Sequence, residues 1–279
     1  MPALTPLPAA TPPVTMTIHQ LPTGSYSTKA NMALRGGSRR ETVQFAATAV
    51  LVQHPSGDVL IDAGLGRDVE KHQQMLPGYR RVEHRVGSPV VDQLAAAGYD
   101  PHRLSGILIT HSHWDHVSGV PDLAAPVLIT AAEVTYAKKQ GADKIFTSFS
   151  PGHPLREYTF DGGPYLGFAQ SHDLYGDGSI VIVPAAGHTT GSVIVFVALP
   201  SGERYAFIGD LTWRLEGIEK NIERLFLMRL FADSDRKQVT VDRERIIAIA
   251  DLVRVVPAHD ERGFAGIPLL VQEAGRGPV

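Results

Sequence analysis

Residues 109–119, "ITHSHWDHVSG", place three histidines and an aspartate within six positions, His111, His113, Asp115 and His116. The apolar run "GILIT" leads straight into them, and reads as a strand. His111 and His113, two apart in an extended turn, point to the same side; Asp115 and His116, at the start of a following helix, point elsewhere. One short loop therefore offers ligands to two different centres. A lone histidine beyond a strand is ordinarily a solvated loop residue or a satisfied core group. With 12 histidines in 279 residues, the pattern HxHxDH arises by chance in roughly one such chain per thousand.

The same arrangement recurs along the chain. "IVIVPAAG" leads to His188, "YAFIG" to Asp210, "RVVPA" to His259 and "VLI" to Asp62. Each strand-like run delivers a polar side chain just past its C-terminal end, the edge at which sites assemble in α/β folds. "TMTIHQL" and "TVQFAATAVLVQHPSGDVLID" read as strands, the latter a pair joined by a turn at 54–58, so an antiparallel meander opens the fold. Residues 88–99 carry Val90, Val91, Leu94 and Ala97 at helical spacing, with Ser88 as N-cap and Gly98 at the end. "SIVIVPA", "SVIVFVAL" and "RYAFIGD" are strands, followed by helical stretches near 216–230 and 241–252 and the strand "VRVVPA". The expected class is α/β, mixed sheets with helices outside in two similar halves. A single domain spans 17–279, behind a proline-broken flexible tail at 1–16.

Composition removes several function classes. A net charge of -3 without a block of like charge offers no surface for nucleic acid or lipid. The chain has no cysteine, which excludes disulfides, thiolate metal sites and cysteine nucleophiles, so any metal is held by nitrogen and oxygen. No apolar run approaches the roughly 20 residues of a membrane span, and the start lacks the basic region of a leader. The cytoplasm is the expected compartment, with a periplasmic or secreted one left open for a chain whose leader was removed.

His111, His113, Asp115, His116, His188, Asp210 and His259 are too many ligands for one tetrahedral ion. They suit two ions about 3.5–4 Å apart that share a carboxylate and a water. On this HxHxDH motif, the later His, Asp and His, and "AGHTTGS" at 186–192, the chain resembles the metallo-β-lactamase superfamily over residues 17–270. The resemblance implies an αββα sandwich. It also implies that His111, His113 and His188 hold one metal and Asp115, His116 and His259 the other, with Asp210 bridging. Five imidazoles and two carboxylates favour zinc, with iron, manganese or cobalt as alternatives in one site. The implied mechanism is attack by a hydroxide shared between the metals, Asp115 orienting it and passing a proton to the leaving group. Asp62 is either an outer partner of a histidine or a turn-capping residue before Gly64.

The bond attacked is narrowed by the same resemblance. β-Lactamases of the superfamily typically lack the bridging aspartate, present here as Asp210. Glyoxalase II enzymes carry a longer C-terminal helical region than the 20 residues after His259, and the nucleases need an insertion or a basic exosite. What remains is the group of lactonases and phosphotriesterases similar to methyl parathion hydrolase. Many lactonases place a tyrosine after the bridging aspartate; here Trp213 stands in "GDLTWRLEG", suited to lining a pocket for an apolar or aromatic small molecule. Trp114 reads as core beneath the motif. Residues 218–231, apolar on more than one face, fit core, a substrate wall or a homodimer contact. Residues 146–163 read as an irregular lid loop, with His153 and the nearby His172 as non-ligands. The expected activity is dinuclear metal-dependent hydrolysis of a lactone or other carboxylic ester. Phosphotriester hydrolysis is the second reading, and a binding or sensing protein with structural metals the third.

Overall fold

The computed structural model describes residues 7–139 and 144–271. Its strands are β1 (Thr17–Lys29), β2 (Thr42–Gln53), β3 (Asp58–Ile61), β4 (His84–Val86), β5 (Leu104–Leu108), β6 (Val127–Ile129), β7 (Leu155–Glu157), β8 (His172–Asp173), β9 (Ile180–Pro184), β10 (Val193–Ala198), β11 (Arg204–Phe207) and β12 (Arg254–Val256). The helices are α1 (Ala30–Ala33), α2 (Val69–Met75), α3 (Val90–Ala96), α4 (Trp114–Val117), α5 (Ala131–Lys139), α6 (Lys144–Phe149), α7 (Glu216–Glu219), α8 (Phe226–Ala232) and α9 (Arg236–Ile249).

The strands form a seven-stranded sheet in the order β4-β1-β2-β3-β5-β6-β7 and a five-stranded sheet in the order β12-β11-β10-β9-β8. Both are mixed. β1, β2 and β3 make the expected antiparallel meander, while β3, β5, β6 and β7 run parallel. The two halves are alike in layering but unequal in size.

Alternation along the strands builds three apolar layers. Leu108 of β5 faces the other sheet while Ile107 faces the helices; in β10, Val193, Val195 and Val197 face inward and Ile194 and Phe196 outward. Between the sheets lie Val50, Ile61, Leu108, Ile182, Val195 and Phe207. Behind the first sheet, α3 to α6 add Leu94, Val117, Val134 and Phe146; behind the second, α9 adds Val239 and Ile246. A fully buried Val, Leu or Ile contributes roughly 1.5–3 kcal/mol, so this double face of burial explains the near-continuous apolar runs. The αββα sandwich is the observed architecture.

Several local expectations need correction. Pro89 takes the N-cap position of α3 in place of Ser88, because its ψ of 153° is extended and the helical dihedrals begin only at Val90; no side chain caps the turn. The stretch at 216–230 is not one helix: Asn221 at φ 52° ends α7, and the chain re-enters helix only at Phe226. The final helix begins at Arg236 rather than 241, capped by Asp235, whose side chain accepts from the Lys237 and Gln238 amides. Residues 146–163 contain the end of α6, a 3-10 turn and the edge strand β7 rather than a wholly irregular loop. Of the segment read as a tail, residues 7–16 lie against the body: the Thr11 amide donates to the Asp177 carbonyl and Met16 is buried. Residues 1–6 fall outside the described ones. Among the described residues no helix is long and apolar enough to cross a membrane.

Candidate metal centre

The strand ends converge as the sequence suggests. β3 delivers Asp62, β5 the loop with His111 and His113, β9 His188, β11 Asp210 and β12 His259, with Asp115 and His116 in the single turn of α4. Two short connections set the spacing. The Ala63 amide donates to the His116 carbonyl at 2.8 Å and the Gly119 amide to the Gly64 carbonyl at 3.1 Å, zipping the loop after β3 to α4. Gly119 is required there: a Cβ would stand 2.4 Å from the Ala63 carbonyl oxygen.

The seven residues form two groups. His111, His113, His188 and Asp210 bring one donor atom each within 4.8 Å of one another, and so do Asp115, His116 and His259. In the first group His113 Nδ1 lies 2.9 Å from both His111 Nε2 and His188 Nε2, and Asp210 Oδ2 lies 3.4 Å from His188 Nε2. In the second, Asp115 Oδ2 is 3.4 Å from His259 Nε2. Asp210 joins the two: its other oxygen, Oδ1, lies 2.9 Å from His259 Nε2 and 3.3 Å from His116 Nε2. One carboxylate oxygen thus faces each group.

The other nitrogen of every ring is held from outside. His116 Nδ1 meets Asp62 Oδ2 at 2.8 Å, His188 Nδ1 meets Asp233 Oδ1 at 3.1 Å and His259 Nδ1 meets the Ala46 carbonyl at 2.8 Å. His111 Nδ1 lies 3.2 Å from Thr110 Oγ1, and His113 Nε2 lies 3.1 Å from the Tyr136 hydroxyl. The carboxylates are held as well: the Tyr26 hydroxyl donates to Asp115 Oδ2 at 2.6 Å and the Trp213 indole to Asp210 Oδ2 at 2.8 Å. Asp62, at φ 55°, accepts from the Thr110 amide and hydroxyl besides His116, so it is an outer partner of a histidine rather than a simple turn cap.

Electrostatics matches this division. Burial, reinforced by the neighbouring imidazoles His116 and His113, holds His111 well below the ordinary histidine range; burial also lowers His188 to about 4. Burial thus favours the neutral form of both rings, the form that binds a metal. Burial also opposes charge on His116 and His259, but Asp62 and Asp115 around the first and Asp210 beside the second raise them. Burial works against ionisation of Asp210 too, yet His259 and His116 hold it well below the usual carboxylate range. Burial and the adjacent Asp115 and Asp210 push the Tyr26 phenol well above 10, which keeps it a donor.

Divalent metals fit these residues. His116 Nε2 and Asp210 Oδ1 are buried and, although 3.3 Å apart, form no aligned hydrogen bond, a costly state for polar atoms unless an ion satisfies them. The donor set of five imidazoles and two carboxylates has no sulfur and suits borderline cations such as zinc.

A family model described as the metallo-beta-lactamase superfamily matches residues 43–259, which include all seven of these positions. The chain belongs to the metallo-β-lactamase superfamily. Within that superfamily it is 28% identical over 227 residues to the N-acyl homoserine lactonase AttM of Rhizobium johnstonii, covering 77% of this chain and 82% of that one. Its fold is similar to that of a point mutant of AiiA from B. thuringiensis, solved with N-decanoyl-L-homoserine at the active site: TM-score 0.71, 15% identity, covering 90% of this chain and 96% of that one. The dizinc quorum-quenching lactonase AidC is similar at TM-score 0.62 and 16% identity, covering 94% and 96%. The lactonase-like grouping expected from the motif agrees with these relatives.

All seven expected ligands come together, as does Asp62. Trp213 stands at the centre too, but its indole N–H is spent on Asp210 while its ring packs on Phe45 and beneath the Arg224 guanidinium. Trp114 is only partly buried, against the core and Tyr26. His153 and His172 bond to the Ala125 carbonyl and to Asp161, within neither group. Tyr26, Tyr136, Glu133, Arg224 and Asp233 were not legible: none stands directly past a strand end as the candidate ligands do, Glu133 and Tyr136 lying within the helix that follows β6.

Proposed function

We propose that the chain is a dinuclear metal-dependent hydrolase of lactones or other carboxylic esters. The observation that carries this is the Asp210 carboxylate, each oxygen of which faces a separate set of imidazole nitrogens. Two divalent ions bound there, zinc on the donor chemistry, would supply an acidified water and a Lewis acid for the carbonyl. A water attacks the carbonyl carbon, the ester C–O bond breaks, and the water's proton reaches the leaving oxygen through the Asp115 carboxylate. Tyr26 fixes that carboxylate by donating to Oδ2. Trp213 fixes Asp210 in the same way.

The choice of substrate is supported by the lactonase relative and by the chemistry beside the ligands. Trp114, Tyr26, Phe45 and Trp213 form an aromatic row, neighbouring centroids 5.4, 5.4 and 5.5 Å apart, with Phe45 stacked on His259 at 5.2 Å. The half-buried faces of Trp114, Tyr26 and Trp213 suit an apolar acyl or aryl group.

The test is a panel of N-acyl homoserine lactones, other lactones, aryl esters, thioesters and phosphotriesters, run with metal analysis. Two metal equivalents per chain and highest kcat/KM on a lactone or ester are expected. Asp210→Asn should lower that rate by about 100-fold or more, since a bridging charge contributes several kcal/mol. Fastest turnover of phosphotriesters would replace the reading with the second one, and no turnover of any class would leave the metals a structural role.

A further inference from the structure

Glu133, at the start of α5, is 1% exposed, and all of its acceptor capacity is used on two loops that carry ligands. Oε1 accepts from the Ser112 amide at 2.7 Å and the Ser112 hydroxyl at 2.6 Å. Oε2 accepts from the Thr189 hydroxyl at 2.6 Å and the Gly191 amide at 3.2 Å. Ser112 sits between His111 and His113, and Thr189 directly follows His188. The approach leaves no slack, since a Cβ on Gly191 would stand 2.2 Å from the Glu133 amide nitrogen.

The second group hangs on other supports. His116 is held by Asp62, His259 by the Ala46 carbonyl and Asp115 by Tyr26, and Glu133 touches none of them. We infer that Glu133 is the positioning residue of the first metal alone, clamping the 111–113 loop and the 188–191 loop so that three imidazoles from two strand ends meet one ion. Glu133 plays this part only where the centre takes two metals, as proposed above. Asp62, by contrast, serves both groups, holding His116 directly and His111 through the Thr110 hydroxyl; the support confined to the second group is the Tyr26 hydroxyl, on Asp115 and 3.3 Å from His259 Nε2. A buried clamp of four hydrogen bonds to a carboxylate resists rotation of both loops, and loss of an outer partner commonly weakens metal binding about 10- to 100-fold.

Calorimetric zinc titration of the metal-free protein tests this. The parent is expected to show two binding steps. Glu133→Gln keeps the side-chain volume but turns an amide NH2 toward one loop's donors, and should weaken one step about 10- to 100-fold while leaving the other unchanged. Tyr26→Phe, which removes the hydroxyl from Asp115 and His259, should weaken the opposite step. Thr189→Val breaks only the 188–191 arm and should weaken the same step as Glu133→Gln by a smaller factor; it carries the test should Glu133→Gln fail to reach the parent's circular dichroism spectrum. Equal weakening of both steps, weakening of neither, or weakening of the step that Tyr26→Phe affects overturns the role of Glu133. A single step in the parent overturns the two-metal reading, and this assignment with it.

Discussion

Tyr26 and Trp213 show how much one donor atom decides. Both are half-buried aromatics, yet each aims its polar tip at a carboxylate of the centre, Tyr26 at Asp115 and Trp213 at Asp210. A hydrogen bond to a charged group contributes roughly 1.5–3 kcal/mol, about a tenfold to hundredfold effect. Tyr26→Phe preserves the ring against Phe45 and Trp114 and is expected to lower kcat/KM by that factor at full metal occupancy, measured by steady-state kinetics beside metal analysis. An unchanged rate would make the ring the useful part. Trp213→Phe should weaken zinc binding about tenfold; unaltered affinity with altered substrate preference would return Trp213 to the pocket-wall role that its sequence position suggested. Neither bond was readable in advance, because Tyr26 lies in β1 and Trp213 could have presented its face rather than its edge.

Loops and single turns, rather than long elements, set the centre's geometry. The loop after β3 and α4 interlock through backbone hydrogen bonds at Ala63 and Gly119, and Asp62 reaches His116 across that seam. Gly119→Ala pushes a methyl group into the Ala63 carbonyl and is expected to cost about 1–3 kcal/mol, read as a lower denaturation midpoint, together with loss of the metal held through His116. α8 makes the contrast. The 218–231 stretch looks core-like in composition, but Phe226, Leu227, Leu230 and Phe231 are all at least half exposed, and Asn221 breaks the helix before them. The break turns Arg224 inward to the Asp210 carbonyl, and to Asp233, which holds His188. Phe231→Ser on that exposed face should change stability by no more than about 0.5 kcal/mol in chemical denaturation. A larger loss would mean that the face is covered in solution.

Across the whole molecule, the centre ties the two sheets together: candidate ligands arrive from the ends of β5, β9, β11 and β12, and Asp210 turns one oxygen to each of the two groups. Metal bound only by the folded chain stabilises it by about 4.1 kcal/mol when present at 1,000 times its Kd. Chelation is therefore expected to lower Tm by about 10 °C in thermal scans, with recovery on adding zinc; an unmoved Tm would contradict a buried metal centre. The α/β class and the seven candidate ligands were legible because each rests on a local rule, apolar strand runs and polar residues directly past their ends, and the sandwich came with the resemblance those residues carry. The helix breaks, the cap of α3 and the exposure of α8 were not, because they depend on what the chain packs against. By itself the sequence determined the α/β class and the seven candidate ligand positions, since a polar residue just past an apolar strand run is a local feature. Only the tertiary structure decided which atoms hold those ligands. Glu133, Asp233 and Tyr26 reach them across folded layers, where proximity comes from packing and leaves no trace in sequence spacing.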